Sequence, residues 1–338
     1  MAKCIPLFLI STFLFFGCTL DSLSSDQLEF KVLTYNVQNI MDDQLDGFEY
    51  DEYKPSKTWT TQAYHQRLKT LSEVVSNRAI GLCDVLVFQE VEHENVVRDL
   101  LERHLARKGY QWYAVAKEEG GAISIAIASR EKPIRVVVHT VIGARPILEA
   151  VFDTPSGEVV VFALHAKSQL GEYTETEALR LELARSLSQA TRKYEGSNVL
   201  ICGDFNEDPD AYSKNSLVQT ALIETRWQVS RTFMANGSLG ISGMKQNIYS
   251  DIWYSPFLDQ SNTFSKPGSY WYGGTWHHYD QFLGNGSLFD DRGWEYDSCD
   301  IVVPPICLNT DGTPKAWNLA TLCGVSDHFP VLLTLKRK

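Results

Sequence analysis

Cations are scarce in this chain. Lys and Arg total 31 against 42 Asp and Glu, a formal charge of −11 at pH 7 with a pI near 5.2. Sequence-independent coating of nucleic acid needs many cations facing phosphates, so that role is excluded, whereas a local basic groove for a nucleic-acid substrate is not. No Cys-x-x-Cys zinc spacing, internal repeat or low-complexity tract occurs. After residue 17 no run approaches the roughly 20 apolar residues that span a bilayer. The 44% apolar and 22% charged composition excludes disorder and fibrous repeats for the bulk, and 338 residues suffice for one large core or two modest ones.

What is present begins with a distinct N-terminus. Lys3 precedes an apolar and small-residue run, 5–17, of signal-peptide rather than membrane-span length. The run ends in Phe15-Phe16-Gly17-Cys18, a small residue before cysteine as in a bacterial lipobox. Residues 1–17 are therefore expected to be a lipoprotein-type signal peptide, Cys18 the lipidated residue and 18–28 a polar tether. Residues 29–338 would be an exported domain anchored to a membrane on its periplasmic or cell-surface side. The alternative is an ordinary signal peptide with Cys18 inside its apolar region. Cys83 and Cys202 flank apolar runs and read as core residues; one disulfide is expected among Cys299, Cys307 and Cys323, which lie in loop-rich sequence.

Hydrophobic patterning predicts strands over 30–36, 84–89, 111–116, 122–129, 134–141, 147–152, 159–165 and 198–202. Helices are predicted over 62–79 and 95–108, and over 176–194 with Ala178, Leu181, Ala184 and Leu187 on one face. Helices on both sides of a run of strands imply a mixed α/β layered domain. Residues 209–278 weaken into aromatic, Gly- and Ser-rich sequence with Trp227, Trp253, Trp271 and Trp276. They read as a short helix near 216–224 followed by loops over one end of the domain, serving as a satellite core or as a substrate wall.

Five segments place polar, metal-capable groups directly after apolar strands: Thr34-Tyr35-Asn36-Val37-Gln38-Asn39, Phe88-Gln89-Glu90, Ala163-Leu164-His165-Ala166-Lys167-Ser168, Gly203-Asp204-Phe205-Asn206 and Ser326-Asp327-His328. Ligands of open α/β sheets bind beyond strand ends, so these groups have a reason to converge. A hard cation prefers oxygen donors, which Glu90, Asp327 and Asn36 offer. Asp204 and Asn206, two apart, would point the same way in extended backbone and hold one water. His328 could serve as acid or base, with a carboxylate such as Asp280 behind it, while His165 and Lys167 would stabilise charge on phosphate oxygens.

This ordered set, with Gln89-Glu90-Val91 and Tyr279-Asp280 in their places, resembles the endonuclease/exonuclease/phosphatase family over about residues 29–337. The resemblance implies a four-layer α/β sandwich, two mixed β-sheets packed face to face with outer helices and a metal site at one end. It places Asn36 and Glu90 at metal-binding positions, Asp327 at that of a metal ligand or second-site carboxylate, and Asp204 at the residue that activates or orients the nucleophilic water, with Asn206 as its partner. His328 takes the position of the catalytic imidazole, Asp280 that of its hydrogen-bonded carboxylate and His165 that of a phosphate-stabilising histidine, while Lys167, by its own charge, is expected to be a substrate contact. Two departures stand out: Ala163 where the family strand often has Asn, and Gln281 directly after Asp280. His277 and His278 are alternative substrate contacts or solvated loop residues. The implied activity is Mg²⁺-dependent phosphodiester hydrolysis, with Mn²⁺ as alternative ion, of an endonuclease/exonuclease type. The alternatives are a phosphodiesterase or phosphatase acting on phospholipid or inositol phosphate, and a non-catalytic binding lipoprotein of the same fold. No protein partner is inferable.

Overall fold

The computed structural model describes residues 28–54, 58–214, 218–226, 230–249 and 251–338. The expected signal peptide, the lipidated Cys18, nearly all of the tether and Trp227 lie outside the described residues. In chain order the strands are β1 (Glu29–Ile40), β2 (Val85–Val91), β3 (Trp112–Lys117), β4 (Ser124–Ser129), β5 (Arg135–Val141) and β6 (Ala144–Thr154). They continue with β7 (Gly157–His165), β8 (Asn198–Asp204), β9 (Leu222–Glu224), β10 (Leu239–Ser242) and β11 (Ile252–Tyr254). The last are β12 (Tyr270–Tyr272), β13 (Thr275–His277), β14 (Asp280–Gly284), β15 (Trp294–Ile301) and β16 (Val331–Arg337). One sheet runs β15-β16-β1-β2-β4-β3, the other β5-β6-β7-β8-β14-β11-β10-β9, and β12 and β13 form a separate hairpin. Both large sheets are mixed: β1/β2 and β7/β8 pair parallel within otherwise largely antiparallel neighbours.

Strand β7 shows why the sheets stack. Val159, Val161 and Ala163 lie in one apolar cluster with Val32, Leu33, Phe88 and Ile125 of the facing sheet. Val160, Phe162 and Leu164 alternate into a second cluster with Leu183, Ala184 and Leu187 of helix α3 (Tyr173–Thr191). With side chains alternating every residue, an unbroken apolar strand buries both faces, each large side chain contributing about 2 kcal/mol. Helices α1 (Thr61–Val75) and α2 (Glu94–Leu100) supply Tyr64, Leu68, Leu71, Val96 and Val97 to the outer side of the first sheet. The order helix, sheet, sheet, helix is the four-layer sandwich expected. Among the described residues no helix is long and apolar enough to cross a membrane.

Four local expectations are corrected. The helix near 216–224 is instead strand β9 at the edge of the second sheet, because Leu222 and Ile223 are buried and the Leu222 N–H is taken by the Glu207 carboxylate at 2.8 Å. The helix over 95–108 is α-helical only to Leu100, then passes through a π turn and a 3₁₀ turn and ends at Gly109 in left-handed geometry. On α3, Ala178 is exposed and the buried face carries an ion pair, Glu177 with Arg180 at 2.8 Å, because Arg180 also reaches the Lys167 carbonyl. No disulfide joins Cys299, Cys307 and Cys323: the first two are buried free thiols in the core and Cys323 is exposed.

Candidate active site

Register aligns the chemistry. His165 at the end of β7 stands beside Asp204 at the end of β8, and Asp204 stands opposite Asp280 at the start of β14. These three residues thus form a row across neighbouring strands, which lie about 4.8 Å apart. In the facing sheet Asn36 pairs with Gln89, and both strands then bulge: the β1/β2 register skips from Asn36 to Ile40, and that of β2/β4 from Gln89 to Val91. Bulges beside active sites re-aim side chains. Gln38, Asn39 and Glu90 adopt φ of 50°, 49° and 66°, and Asn206 49°. Such left-handed non-glycine residues cost on the order of 1–3 kcal/mol each and persist where surrounding structure holds them. Gly203 has φ 142°, and a Cβ there would lie 2.0 Å from the Leu164 carbonyl oxygen, so only glycine lets β8 approach β7 this closely just before Asp204.

The side chains meet at Asp204. Asn36 Nδ2 donates to Glu90 Oε1 and to Asp204 Oδ2, both at 3.0 Å. The other Glu90 oxygen accepts from the Asn39 N–H, and Asp204 Oδ1 accepts from the Asn206 N–H at 2.8 Å. His165 Nε2 lies 3.7 Å from Glu90 and 3.6 Å from Asp204. On the other side His328 Nδ1 is 2.6 Å from Asp280 Oδ2. Ligand atoms of Glu90, His165 and Asp204 lie within 4.8 Å of one another, as do those of Asp204, Asp280 and His328. Asp204 is shared by both groups.

Burial sets the charges. Desolvation pushes Glu90 up, reinforced by Asp327 and opposed by its Asn36 hydrogen bond. Burial likewise raises Asp204 to about 7, against the pull of His328. His165 is held well below its ordinary value by burial, then by the charges of Arg145, His328 and Lys167, so it is neutral. For His328, burial alone would lower the imidazole, but the charge and hydrogen bond of Asp280, then Asp327 and Asp204, lift it to about 10. His328 is therefore an imidazolium at neutral pH. A folded pKa above the unfolded one near 6.5 gives stability that is complete below about pH 6.5 and lost as pH climbs towards 10. In EDTA, wild-type Tm should fall over that window, and Asp280→Asn should flatten the fall; equal slopes would refute the coupling.

Not every expected residue arrives as expected. The Asn36 amide turns its nitrogen, not its oxygen, to the carboxylates, while its oxygen accepts from the Gln38 N–H at 3.0 Å. As oriented it clamps Glu90 to Asp204. Asn206 is left-handed rather than extended, and its side chain donates to the Ala166 carbonyl at 3.2 Å, tying the β7 and β8 exits together. Asp327 is half-buried; its charge reaches Glu90 and His328, but it is outside both converging groups. Lys167 is half-buried near His165. His277 bonds Asp208 at 2.9 Å and His278 packs on Phe257.

Sequence reasoning missed Ser326, Arg67 and Tyr270 as parts of the site. Ser326 Oγ donates to the Asn36 carbonyl at 2.7 Å and accepts from the His328 N–H, joining the two loops. Arg67, buried on α1, donates to the carbonyls of Val37, Gln38 and Val325. Tyr270 stacks on His328 with centroids 4.4 Å apart, and Tyr272 stacks on Tyr270 at 6.1 Å. The hairpin had a readable signal: Gly273-Gly274 between Tyr270-Trp271-Tyr272 and Thr275-Trp276-His277 is a two-residue turn between strands. Its root is fixed by a 2.7 Å bond from the Phe329 N–H to the Ser269 carbonyl and by the His277–Asp208 pair.

The Endonuclease/Exonuclease/phosphatase family matches residues 33–328 of the chain. No curated protein matches the sequence. Among solved structures, the chain is similar to a humanized D. rerio TDP2 (TM-score 0.56, 12% identity, covering 93% of this chain and 100% of that one). It is also similar to an AP endonuclease from Archaeoglobus fulgidus (TM-score 0.54, 17% identity, 90% and 98% covered). A mannosyl-6-phosphatase from Bacteroides thetaiotaomicron is similar as well (TM-score 0.53, 15% identity, 90% and 99% covered). At these identities the likeness is one of fold.

Proposed function

The chain belongs to the endonuclease/exonuclease/phosphatase family, and from that premise we propose that it hydrolyses phosphodiester bonds of nucleic acid with a divalent cation, Mg²⁺ or in its place Mn²⁺. The observation that carries this reading is Asp204, common to a cation-suited group on one side and a carboxylate–imidazolium pair on the other. The half-buried Glu90 and buried Asp204 carboxylates, with raised affinity for protons, suit a hard cation, which would replace the missing positive charge. Glu90 and Asp204 would hold it, with the Asp327 charge acting on Glu90 from nearby. When bound, such an ion neutralises charge on the phosphoryl oxygens.

The chain's own groups do the rest. Asp204, fixed by Asn36 and Asn206, orients a water and takes its proton as the water oxygen attacks phosphorus. The bond from phosphorus to the leaving oxygen breaks, and the imidazolium of His328 gives that oxygen its proton while Asp280 holds the ring. His165, neutral, and Lys167 face the phosphate oxygens as donors. The stripe from Tyr270 to the exposed ring of Tyr272 leads outward from His328 and suits stacking of a base beside the scissile phosphate. An N-terminal signal peptide and a lipid on Cys18 would place this reaction at the outer side of a membrane.

The test is a substrate panel with Mg²⁺: plasmid DNA, RNA, abasic DNA, sphingomyelin and inositol phosphates. DNA or RNA should be cut, EDTA should stop cutting and added Mg²⁺ restore it. Tyr272→Ala should raise KM for an oligonucleotide about tenfold, the worth of one stacked base. Turnover of phospholipid or inositol phosphate alone overturns the nucleic-acid reading, and hydrolysis that persists in EDTA overturns the mechanism.

A further inference from the structure

Past the reaction cleft, β1 and β2 run on into a second gathering of carboxylates. Beyond Ile40 the chain turns through Asp42, Asp46 and Glu49, and Glu92 follows the end of β2 with its N–H bonded to the Ile40 carbonyl. Glu92 is 0% exposed, Asp42 4% and Glu49 7%. One Glu92 oxygen accepts from the Asp42 N–H at 2.6 Å, but its other oxygen, Oε1, is buried with no hydrogen-bond partner. Oxygens of Asp46, Glu49 and Glu92 lie within 4.8 Å of one another. Backbone N–H groups of Asp46 and Gly47 hold Glu49, and that of Phe48 holds Asp46 at 2.9 Å.

Two cationic groups stand near. Lys117 Nζ is 3.6 Å from Asp46 on the solvent side. His93 Nε2 lies 3.3 Å from Asp42 and 3.9 Å from Glu92, and because its Nδ1 accepts from the Asn95 N–H, Nε2 is the protonated nitrogen. His93 is therefore a donor to Asp42 and not a metal ligand. Neither group meets the orphan oxygen of Glu92.

We propose that Asp46, Glu49 and Glu92 form a second cation site, separate from the reaction cleft and suited to Ca²⁺. A buried carboxylate oxygen without a donor is costly unless a cation meets it. The donor set is all oxygen, which selects hard cations over transition metals. Ca²⁺ accepts irregular coordination by six to eight oxygens, whereas Mg²⁺ demands a near-ideal octahedron, and a loop of carboxylates fixed by backbone N–H groups with one open side matches the former. The site does not depend on the proposed function, since none of its carboxylates reaches the reacting phosphate. Glu90 and Glu92, on either side of Val91, serve the two sites in turn.

The test uses the full chain stripped with EDTA. Millimolar Ca²⁺ should raise Tm by about 5 °C, as for a ligand about a hundredfold above its Kd. The rise should survive Glu90→Gln, which disables the reaction cluster, and vanish in Asp46→Asn and in Glu92→Gln. Asp46 is exposed, so its variant reports even if Glu92→Gln misfolds. Tb³⁺ supplies a second readout, because Trp59 Nε1 donates to the Asp42 carbonyl at 2.7 Å and lies close enough to sensitise its emission. Emission should saturate at one equivalent in Glu90→Gln and drop in Trp59→Phe. Absence of a Ca²⁺ shift in wild type, or a shift that disappears with Glu90→Gln but persists in Asp46→Asn, overturns the site.

Discussion

Asp204→Asn should lower kcat/KM on a phosphodiester about a thousandfold, within the range for loss of a positioned general base, without lowering metal-free Tm. The two effects separate because the residue is costly to the fold. Its carboxylate is 2% exposed, burial raises it to about 7, and Asp280 adds like-charge repulsion. Asparagine removes that charge and keeps an oxygen for the Asn206 N–H, while one bond to Asn36 is lost. The gain offsets the loss, so Tm in EDTA should be unchanged or higher. Steady-state kinetics and thermal melts on the same preparations decide it. Activity within tenfold of wild type would remove Asp204 from the mechanism; a large fall in Tm would mean that its role is structural.

Arg67→Met should destabilise the fold by about 4 kcal/mol, the scale of leaving buried polar groups unpaired, which is a Tm loss of about 6 °C for a chain of this size. Arg67 is 1% exposed, and burial lowers its guanidinium to about 10. It donates to Val37 and Gln38 after Asn36 and to Val325 before Ser326, with its carbon centre 4.5 Å from the Trp317 ring. Methionine fills the volume but strands three carbonyls. Arg67→Lys should recover little, since one ammonium cannot reproduce a planar fork serving both loops. Urea melts measure the loss directly. A change under 1 kcal/mol would show that the loops are held by other bonds.

Three of the strand-end residues were legible because chemistry and pattern coincide there: an apolar run followed by Glu90, His165 or Asp204 has few other readings, whereas Ser326-Asp327-His328, expected directly after a strand, stands in the loop before β16. Asp280 was legible only through its place in the motif order, and the 2.6 Å bond to His328 supports that placement. Arg67 was not legible, because a cation on an amphipathic helix ordinarily faces water and nothing local marks it as buried. The left-handed turns at Glu90 and Asn206 escaped because two-residue periodicity assumes extended backbone. Strands β9 and β11 are three residues each, too short for alternation to register. The orientation of the Asn36 amide is fixed by Gln38 and two carboxylates, which sequence spacing alone does not encode.

The aromatic hairpin has a further consequence. Its base is pinned to the loops bearing His328 and Asp208, while its tip carries the exposed rings of Trp271 and Tyr272. Under the proposed function, recognition and bond cleavage would lie on separable stretches of chain. Substitution at the tip would then alter what is bound while Glu90, His165 and Asp204 keep the geometry that the strand register gives them.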